Sequence, residues 1–199
     1  MLRIVAGRFR GRRLLCPPGL DVRPTADRVK ETLYNVLQPD LPGASVLDLY
    51  AGTGNLGLEA LSRGAGRVVL VERAPAALAI LRRNLDALGA RGQVEVVRGD
   101  ALRYLARGDL QPFDIVVADP PYDSGAEDAV LRGVCGAALR PGGWFVLQHA
   151  RRWRAPAALE DLRHARSKRF GDTVVDFFAR QEVGSGSQHP SDGPVSGHV

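Results

Sequence analysis

From residue 42 onward, short apolar runs rich in β-branched residues alternate with stretches of helical periodicity. This rhythm limits the fold more than any other feature of the chain. Residues 45–50, 68–72, 94–98, 114–118 and 144–149 read as strands. Residues 56–63 read as a helix, and a longer one runs through Ala77, Ile80, Leu81, Leu85 and Leu88, with Gly89 placed to end it. Strands apolar along their whole length are buried on both faces, which is the signature of a parallel sheet between two helical layers. The expected fold is therefore α/β and Rossmann-like, with a mostly parallel sheet. Residues 162–170 and 173–180, joined only by Gly171-Asp172, should pair antiparallel, so the sheet should end on an antiparallel C-terminal strand.

The chain before residue 42 does not follow this rhythm. Residues 2–6 and 12–15 can form a hairpin around residues 7–11, and Pro17-Pro18-Gly19 breaks it. Thr25 suits an N-cap for a helix carrying Val29, Leu33, Val36 and Leu37 and ending before Pro39. Three regions are expected: a hairpin and helix over residues 1–41, an α/β domain over 42–182, and a disordered tail over 183–199. That tail holds four Gly, four Ser and two Pro.

Charge separates these regions. Residues 1–30 hold eight bases (Arg3, Arg8, Arg10, Arg12, Arg13, Arg23, Arg28 and Lys30) against Asp21 and Asp27, a net of +6 in a chain of +5. Localised positive charge is an electrostatic footprint for a polyanion. Arg3, Arg8, Arg10, Arg12 and Arg13 are the candidate residues for such a partner, and toward a nucleic acid they would grip phosphates rather than read bases. Arg151, Arg152 and Arg154 read as a solvated loop, and the basic run 163–169 as a strand edge kept soluble by charge. No apolar run approaches the ~20 residues of a membrane span. The N-terminus lacks the apolar core of a signal peptide. With only Cys16 and Cys135, neither a disulfide framework nor a metal cluster is indicated. A cytoplasmic protein with no metal and no membrane partner is expected.

Two motifs carry chemistry. The first lies between a strand and a helix, where Gly52, Gly54 and Gly57 have G-x-G-x-x-G spacing behind Asp48. Such glycines let the backbone turn tightly and let a ligand approach it. Glu72, at the tip of the next strand, suits ribose hydroxyls, and Asp100, past the third strand, suits an adenine edge. These residues describe an adenosine pocket at the strand C-terminal ends. A dinucleotide would put its pyrophosphate at the helix N-terminus. S-adenosylmethionine has no phosphate and needs acids, and Asp48 is placed to meet its α-amino group.

The second motif is Asp119-Pro120-Pro121-Tyr122, behind the apolar run Ile115-Val116-Val117. The prolines have fixed φ and lack N–H groups, so they hold their carbonyls rigidly beyond the strand tip. A carboxylate, a carbonyl and an aromatic face suit a planar group bearing an –NH₂, such as a nucleobase.

With these motifs in view, the chain resembles the class I S-adenosylmethionine-dependent methyltransferases, and more narrowly the RsmD family. The resemblance runs from about Arg3 to Arg180. It is carried by Arg3-Ile4-Val5-Ala6-Gly7 with Gly11-Arg12, by residues 23–33 and 48–60, by Asp119-Pro120-Pro121-Tyr122, and by Arg169-Phe170-Gly171-Asp172-Thr173. It implies methylation of a guanine N2 amine in 16S rRNA, within a small ribosomal subunit or an assembly intermediate. It also implies a cofactor site of Asp48, Tyr50, Ala51, Gly52, Thr53, Gly54, Glu72, Arg73, Asp100 and Ala101, with Asp119, Pro120 and Tyr122 handling the target amine. Thr53 and Asn55 stand where the family pattern has Ser and Ala, and Asn55 can alter a cofactor contact.

Other readings share parts of this pattern. Adenine N6 in DNA or RNA would use the same Asp-Pro-Pro-Tyr. A nicotinamide-dependent oxidoreductase would use the glycine loop and Glu72, leaving Asp-Pro-Pro-Tyr and the basic arm unexplained. A non-catalytic RNA-binding protein would not need every acid in place. His149, at a strand end, reads as structural. Cys16, followed rather than preceded by proline, does not read as a nucleophile.

Overall fold

A computed structural model describes residues 2–17, 24–122, 124–135 and 138–181. The expected tail, the Pro18-Gly19 break, Arg23 and the side chain of Thr25 lie outside what it describes.

The alternating segment forms β3 (Ser45–Asp48), α2 (Asn55–Ser62), β4 (Arg67–Glu72), α3 (Pro75–Leu88), β5 (Glu95–Arg98), α4 (Ala101–Leu105), β6 (Phe113–Ala118), α5 (Glu127–Val134) and β7 (Leu139–Ala150). Two strands precede it, β1 (Leu2–Arg3) and β2 (Arg13–Leu14), followed by α1 (Pro24–Leu37). Three follow it: β8 (Ala158–Leu159), β9 (Leu162–Phe170) and β10 (Thr173–Arg180). The eight-stranded sheet has the order β5-β4-β3-β6-β7-β10-β9-β8. Strands β5 to β7 are parallel, β10 runs antiparallel to β7, and β9 and β8 continue the antiparallel end.

Side chains alternate faces along each strand, so apolar strands feed two cores. On one face Val46, Val68, Leu70, Ile115 and Val117 pack under α1, α2 and α3. On the other, Leu47, Val69, Val71, Val116 and Phe145 pack under α4 and α5. Leu2, Ile4 and Leu14 join the first core, so the N-terminal hairpin shares its packing with the sheet.

That hairpin is shorter than residues 2–6 and 12–15 suggest. Only Leu2↔Leu14 and Arg3↔Arg13 form the ladder. Ile4 still donates to the Arg12 carbonyl and accepts from the Gly11 amide, both at 2.9 Å, and only the amides after it find partners on α2. Val5 and Ala6 donate to the Glu59 carboxylate at 2.8 and 2.9 Å, and Arg8 and Phe9 donate to Ser62. Gly7 crosses Ser62 so closely that a Cβ there would lie 1.9 Å from the Ser62 carbonyl oxygen. Gly89 ends α3 at φ 65°, in the left-handed region expected of a C-terminal glycine.

Candidate active site

Strand order reverses between β3 and β6: the chain goes from β3 outward to β4 and β5, then returns to the other side for β6. In open α/β sheets a crevice forms at this switch point, outside the strand C-terminal ends. Asp48 ends β3, Glu72 ends β4, and Asp100 and Asp119 lie one or two residues past β5 and β6. Parallel pairing puts these tips side by side, with Asp48↔Val117 and Glu72↔Arg98 in register.

The glycine loop is built around the acids. Gly54 stands at φ 92° before α2, a conformation costly for other residues. Gly57 is where α2 meets β4, and a Cβ there would strike Leu70 Cδ2 at 2.1 Å. This closeness lets the Gly57 amide reach Asp48 Oδ2 at 2.9 Å. Asp48 thereby takes one of the unpaired donors at the start of α2. Glu72 clamps the loop from the other side, accepting from Gly52 N at 2.8 Å and from Ala74 N at 2.6 Å.

Each acid keeps capacity for a ligand. Asp48 is 1% exposed, and its Oδ1 has no hydrogen-bond partner among the described residues. An orphaned buried carboxylate oxygen is costly, and a cationic N–H donor would relieve that cost. Burial raises the Asp48 carboxyl to about 7; the amides of Gly57 and Tyr50 oppose the rise, and Glu72 adds to it. A Cβ on Gly52 would meet only the Tyr50 carbonyl oxygen, 4.0 Å away, so this backbone borders open space. Asp100 caps α4, accepting from Leu102 N and Arg103 N through Oδ1, while Oδ2 lies 3.6 Å from Arg73. Tyr50 is half-buried, and after burial Asp100 contributes most to raising its phenol. Ala101 is buried at the start of α4, and Ala51 beneath the loop. Thr53 is buried, and its carbonyl accepts from Asn84. Asn55 Oδ1 accepts from Lys30 at 2.8 Å, so this departure from the family pattern ties the loop to α1.

The second motif faces the same crevice. Burial foremost, with Asp48 adding to it and a hydrogen bond from Gln148 opposing, raises the Asp119 carboxyl to about 7. The acid at the tip of β3 thus acts on the acid past the tip of β6. The Pro121 carbonyl accepts from the Ser124 amide at 2.9 Å and the Ser124 hydroxyl at 2.6 Å. No backbone amide among the described residues donates to Pro120's carbonyl. Tyr122 is held by its hydroxyl, 2.9 Å from Thr173 Oγ1, and Gln148 Nε2 donates to the same oxygen at 3.3 Å.

Gln148 and Thr173 are the site residues that sequence reasoning missed. Gln148 reaches both Asp119 and Tyr122, but only because β7 lies next to β6. Thr173 belongs to a motif already quoted, yet its partner is 51 positions away.

The N-terminal arginines do not gather at the crevice. Helices α2 and α3 begin there and run back along the sheet. Phe9 meets Ser62 at the last turn of α2, Arg12 donates to the Ala87 carbonyl near the end of α3, and Arg8 donates to Gln93. The turn bearing Arg8, Arg10 and Arg12 therefore sits at the sheet's opposite edge. Arg3 pairs with Asp27 at 2.9 Å. Arg10 and Arg13 are exposed, with no side-chain partner among the described residues. Elsewhere Cys135, Glu160 and Asp161 bring three metal-type donors together. Arg180 already holds Asp161 at 2.6 Å, and burial pushes the Cys135 thiol up to about 11.

Known proteins match this chain in both sequence and fold. A sequence model of the family described as conserved hypothetical protein 95 matches residues 2–179. The chain is also 41% identical over 144 residues to ribosomal RNA small subunit methyltransferase D of Escherichia coli K12, covering 72% of this chain and 69% of that protein. The chain belongs to this family, RsmD. The Haemophilus influenzae protein of the same name is 40% identical over 136 residues, 67% of this chain and 70% of its own. Among solved structures, yhhF from E. coli superposes with a TM-score of 0.81 at 35% identity, covering 90% of this chain and 98% of that one. The T. thermophilus 16S rRNA N2 methyltransferase RsmC, solved with AdoMet and guanosine, gives 0.66 at 28% identity, covering 83% of this chain and 45% of that one. The RsmD fold is thus the mostly parallel α/β sheet expected from sequence, closed by antiparallel strands.

Proposed function

We propose that this RsmD-family protein transfers a methyl group from S-adenosylmethionine to the exocyclic N2 amine of a guanine in 16S rRNA, within a small ribosomal subunit or its precursor in the cytoplasm. The observation that carries the reading is the adjacency of Asp48 and Asp119 across the switch point, so that donor and acceptor acids share one crevice. Its relatives named ribosomal RNA small subunit methyltransferase D, and the likeness to RsmC, support the same substrate class.

The donor supplies an electrophilic methyl group on a sulfonium. Asp48 Oδ1 would accept from its α-amino group, Glu72 from its ribose hydroxyls, and Asp100 would face its adenine. On the acceptor side, a guanine amine is a poor nucleophile because its lone pair is delocalised into the ring. The Asp119 carboxylate and the Pro120 carbonyl would each accept one of its N–H bonds. That arrangement favours a pyramidal nitrogen and aims the lone pair at the methyl carbon. As the N–C bond forms the C–S bond would break, the thioether would leave, and the methylated nitrogen would lose one proton to Asp119 or water. The rate gain then comes from positioning and a polar environment set in advance. Tyr122, pinned through its hydroxyl, would stack on a base turned out of its helix, worth roughly 1–3 kcal/mol.

The nicotinamide reading fits less well. A pyrophosphate needs the free amides at the start of α2. Asp48 already occupies the Gly57 amide and would put a second negative charge beside the phosphates. Adenine N6 remains chemically compatible with Asp-Pro-Pro-Tyr, and the N2 chemistry named for RsmC favours guanine. The deciding experiment is mass spectrometry of 16S rRNA from a strain lacking this protein. One missing N2-methylguanine, restored by the wild-type gene but not by Asp119→Ala, is expected. An unchanged methylation map would overturn the reading.

A further inference from the structure

The loop after β7 and the β9–β10 hairpin enclose a second cavity of about 520 Å³. It lies at the edge of the sheet where β7 ends and β10 begins, the same edge as the acids, but on the opposite face. Val174 and Asp176, which line it, project from β10 on the side of Phe178 and the α4–α5 core. Its size suits a nucleotide rather than a lone small ion.

The floor of this cavity is fully engaged. Asp176 Oδ2 meets His149 Nε2 at 2.8 Å, while Oδ1 meets His164 Nε2 at 3.0 Å and accepts from the Ser167 hydroxyl. Burial acts to raise the Asp176 carboxyl, and hydrogen bonds from His149, Ser167 and His164 outweigh it, so the group is lowered. No carboxylate on the floor is left over for the rim. On the rim stand Arg151, Arg154 and Arg169, all exposed, with no side-chain hydrogen bond or ion pair among the described residues. Single unpaired surface arginines are ordinary. Three of them, from two separate segments, converging on one cavity repel each other, and a bound polyanion relieves that repulsion. Trp153 adds an aromatic wall, packed edge-on against His149 with centroids 4.7 Å apart.

Net charge hid this region in the sequence. Residues 151–170 hold seven bases against Glu160 and Asp161, a net of +5, which the acids elsewhere in residues 31–199 cancel. The region is also joined to the acceptor tip. Arg152 donates to the Tyr122 carbonyl, and Tyr122's hydroxyl meets Thr173, the residue before Val174.

We propose that this cavity is a second RNA site, seating a nucleotide that flanks the target base with its phosphodiester on Arg151, Arg154 and Arg169. The proposal rests on the rRNA methyltransferase reading above. It accounts for both ends of the Arg169–Thr173 motif, since Arg169 holds a phosphate and Thr173 pins Tyr122.

The test compares wild type with the triple variant Arg151→Ala, Arg154→Ala, Arg169→Ala. Binding of fluorescently labelled 16S rRNA, free and within small-subunit particles, is followed from 50 to 300 mM KCl, and calorimetry of S-adenosylmethionine reports the integrity of the fold. The variant should bind RNA at least about tenfold more weakly at low salt. The slope of log affinity against log salt should become shallower by about 0.7–0.9, as the loss of one neutralised phosphate requires. Unchanged RNA affinity and slope, with donor binding intact, would overturn this proposal alone. A wild-type protein that binds 16S rRNA neither free nor within small-subunit particles would overturn the rRNA reading and this site with it. A measurement on the wild type alone covers a variant that misfolds. Bound RNA should shield Arg151, Arg154 and Arg169 from phenylglyoxal, read by mass spectrometry, and equal labelling with and without RNA counts against the site. Shielding by inorganic phosphate but not by RNA would mark a small-anion site and also refute the proposal.

Discussion

Across the boundary between β3 and β6, Asp48 adds to burial in pushing up the carboxyl of Asp119. Both groups are raised to about 7, so near neutrality the free crevice holds part of its acidity as protonated carboxyl. A protonated Asp119 loses acceptor capacity for the amine.

Methyl transfer should therefore fall as pH drops through about 7. The kcat/KM for RNA is expected to decline about tenfold per pH unit below that midpoint. Saturation with the cationic donor should move the midpoint of kcat downward. Asp119→Asn should lose roughly 10²-fold or more in kcat while binding donor normally. A flat profile from pH 5.5 to 8.5 would deny Asp119 its role.

Asp48→Asn separates stability from function. An acid raised in the folded state holds its proton where the unfolded chain has lost it. Stability then falls as pH rises from about 4, the unfolded value, to about 7, the folded one. The amide removes that loss and still accepts from Gly57. At pH 8, without donor, thermal melting should show Asp48→Asn more stable by roughly 1–2 kcal/mol. Donor affinity by calorimetry should drop about tenfold, since a charged hydrogen bond contributes about 1.5–3 kcal/mol.

Gln148 acts through its neighbours and is a positioning residue. Its amide opposes the rise of the Asp119 carboxyl and donates to the Tyr122 hydroxyl. Gln148→Leu should leave donor binding intact, lower kcat about tenfold, and shift the pH midpoint upward. Gln148→Asn, too short to reach both partners, should not rescue the profile. A drop in kcat with no pH shift would indicate a purely structural side chain.

What was legible in the sequence follows from how local each feature is. Strands β3, β4 and β6 and helix α3 announce themselves through periodicity and flanking glycines, and Asp48, Glu72, Asp100 and Asp119 were readable because each ends a strand or lies within two residues of its end. Parallel pairing then fixes where those tips lie relative to one another. The shortened hairpin was not readable, because the amides of Val5 and Ala6 are taken by Glu59, more than fifty residues away. Gln148 and Thr173 depend on which strands β7 and β10 border, which no nearby residue encodes. The site of Arg8 and Arg12, at the edge opposite the acids, likewise follows from the direction of α2 and α3.

Glu59 joins the N-terminal segment to the glycine loop, and its removal gives the last prediction. It is 0% exposed and takes the Val5 and Ala6 amides, Arg63 at 2.8 Å and Lys30 at 3.4 Å. Lys30 in turn reaches the Arg3 carbonyl and Asn55 at the start of α2. Burial lowers the Lys30 ammonium, with Glu59 foremost in opposing that shift. Glu59→Ala would strand two buried cations and two amides, a cost of about 3–5 kcal/mol. Denaturant unfolding should show that loss. Hydrogen exchange should speed up first at the amides of Val5, Ala6 and Arg8, then at Gly57. Glu59→Gln keeps acceptors for the amides but not the charge, so it should recover the hairpin's protection more than the stability. Equal protection in all three proteins would show that the hairpin is held by its apolar contacts with Leu2, Ile4 and Leu14 alone.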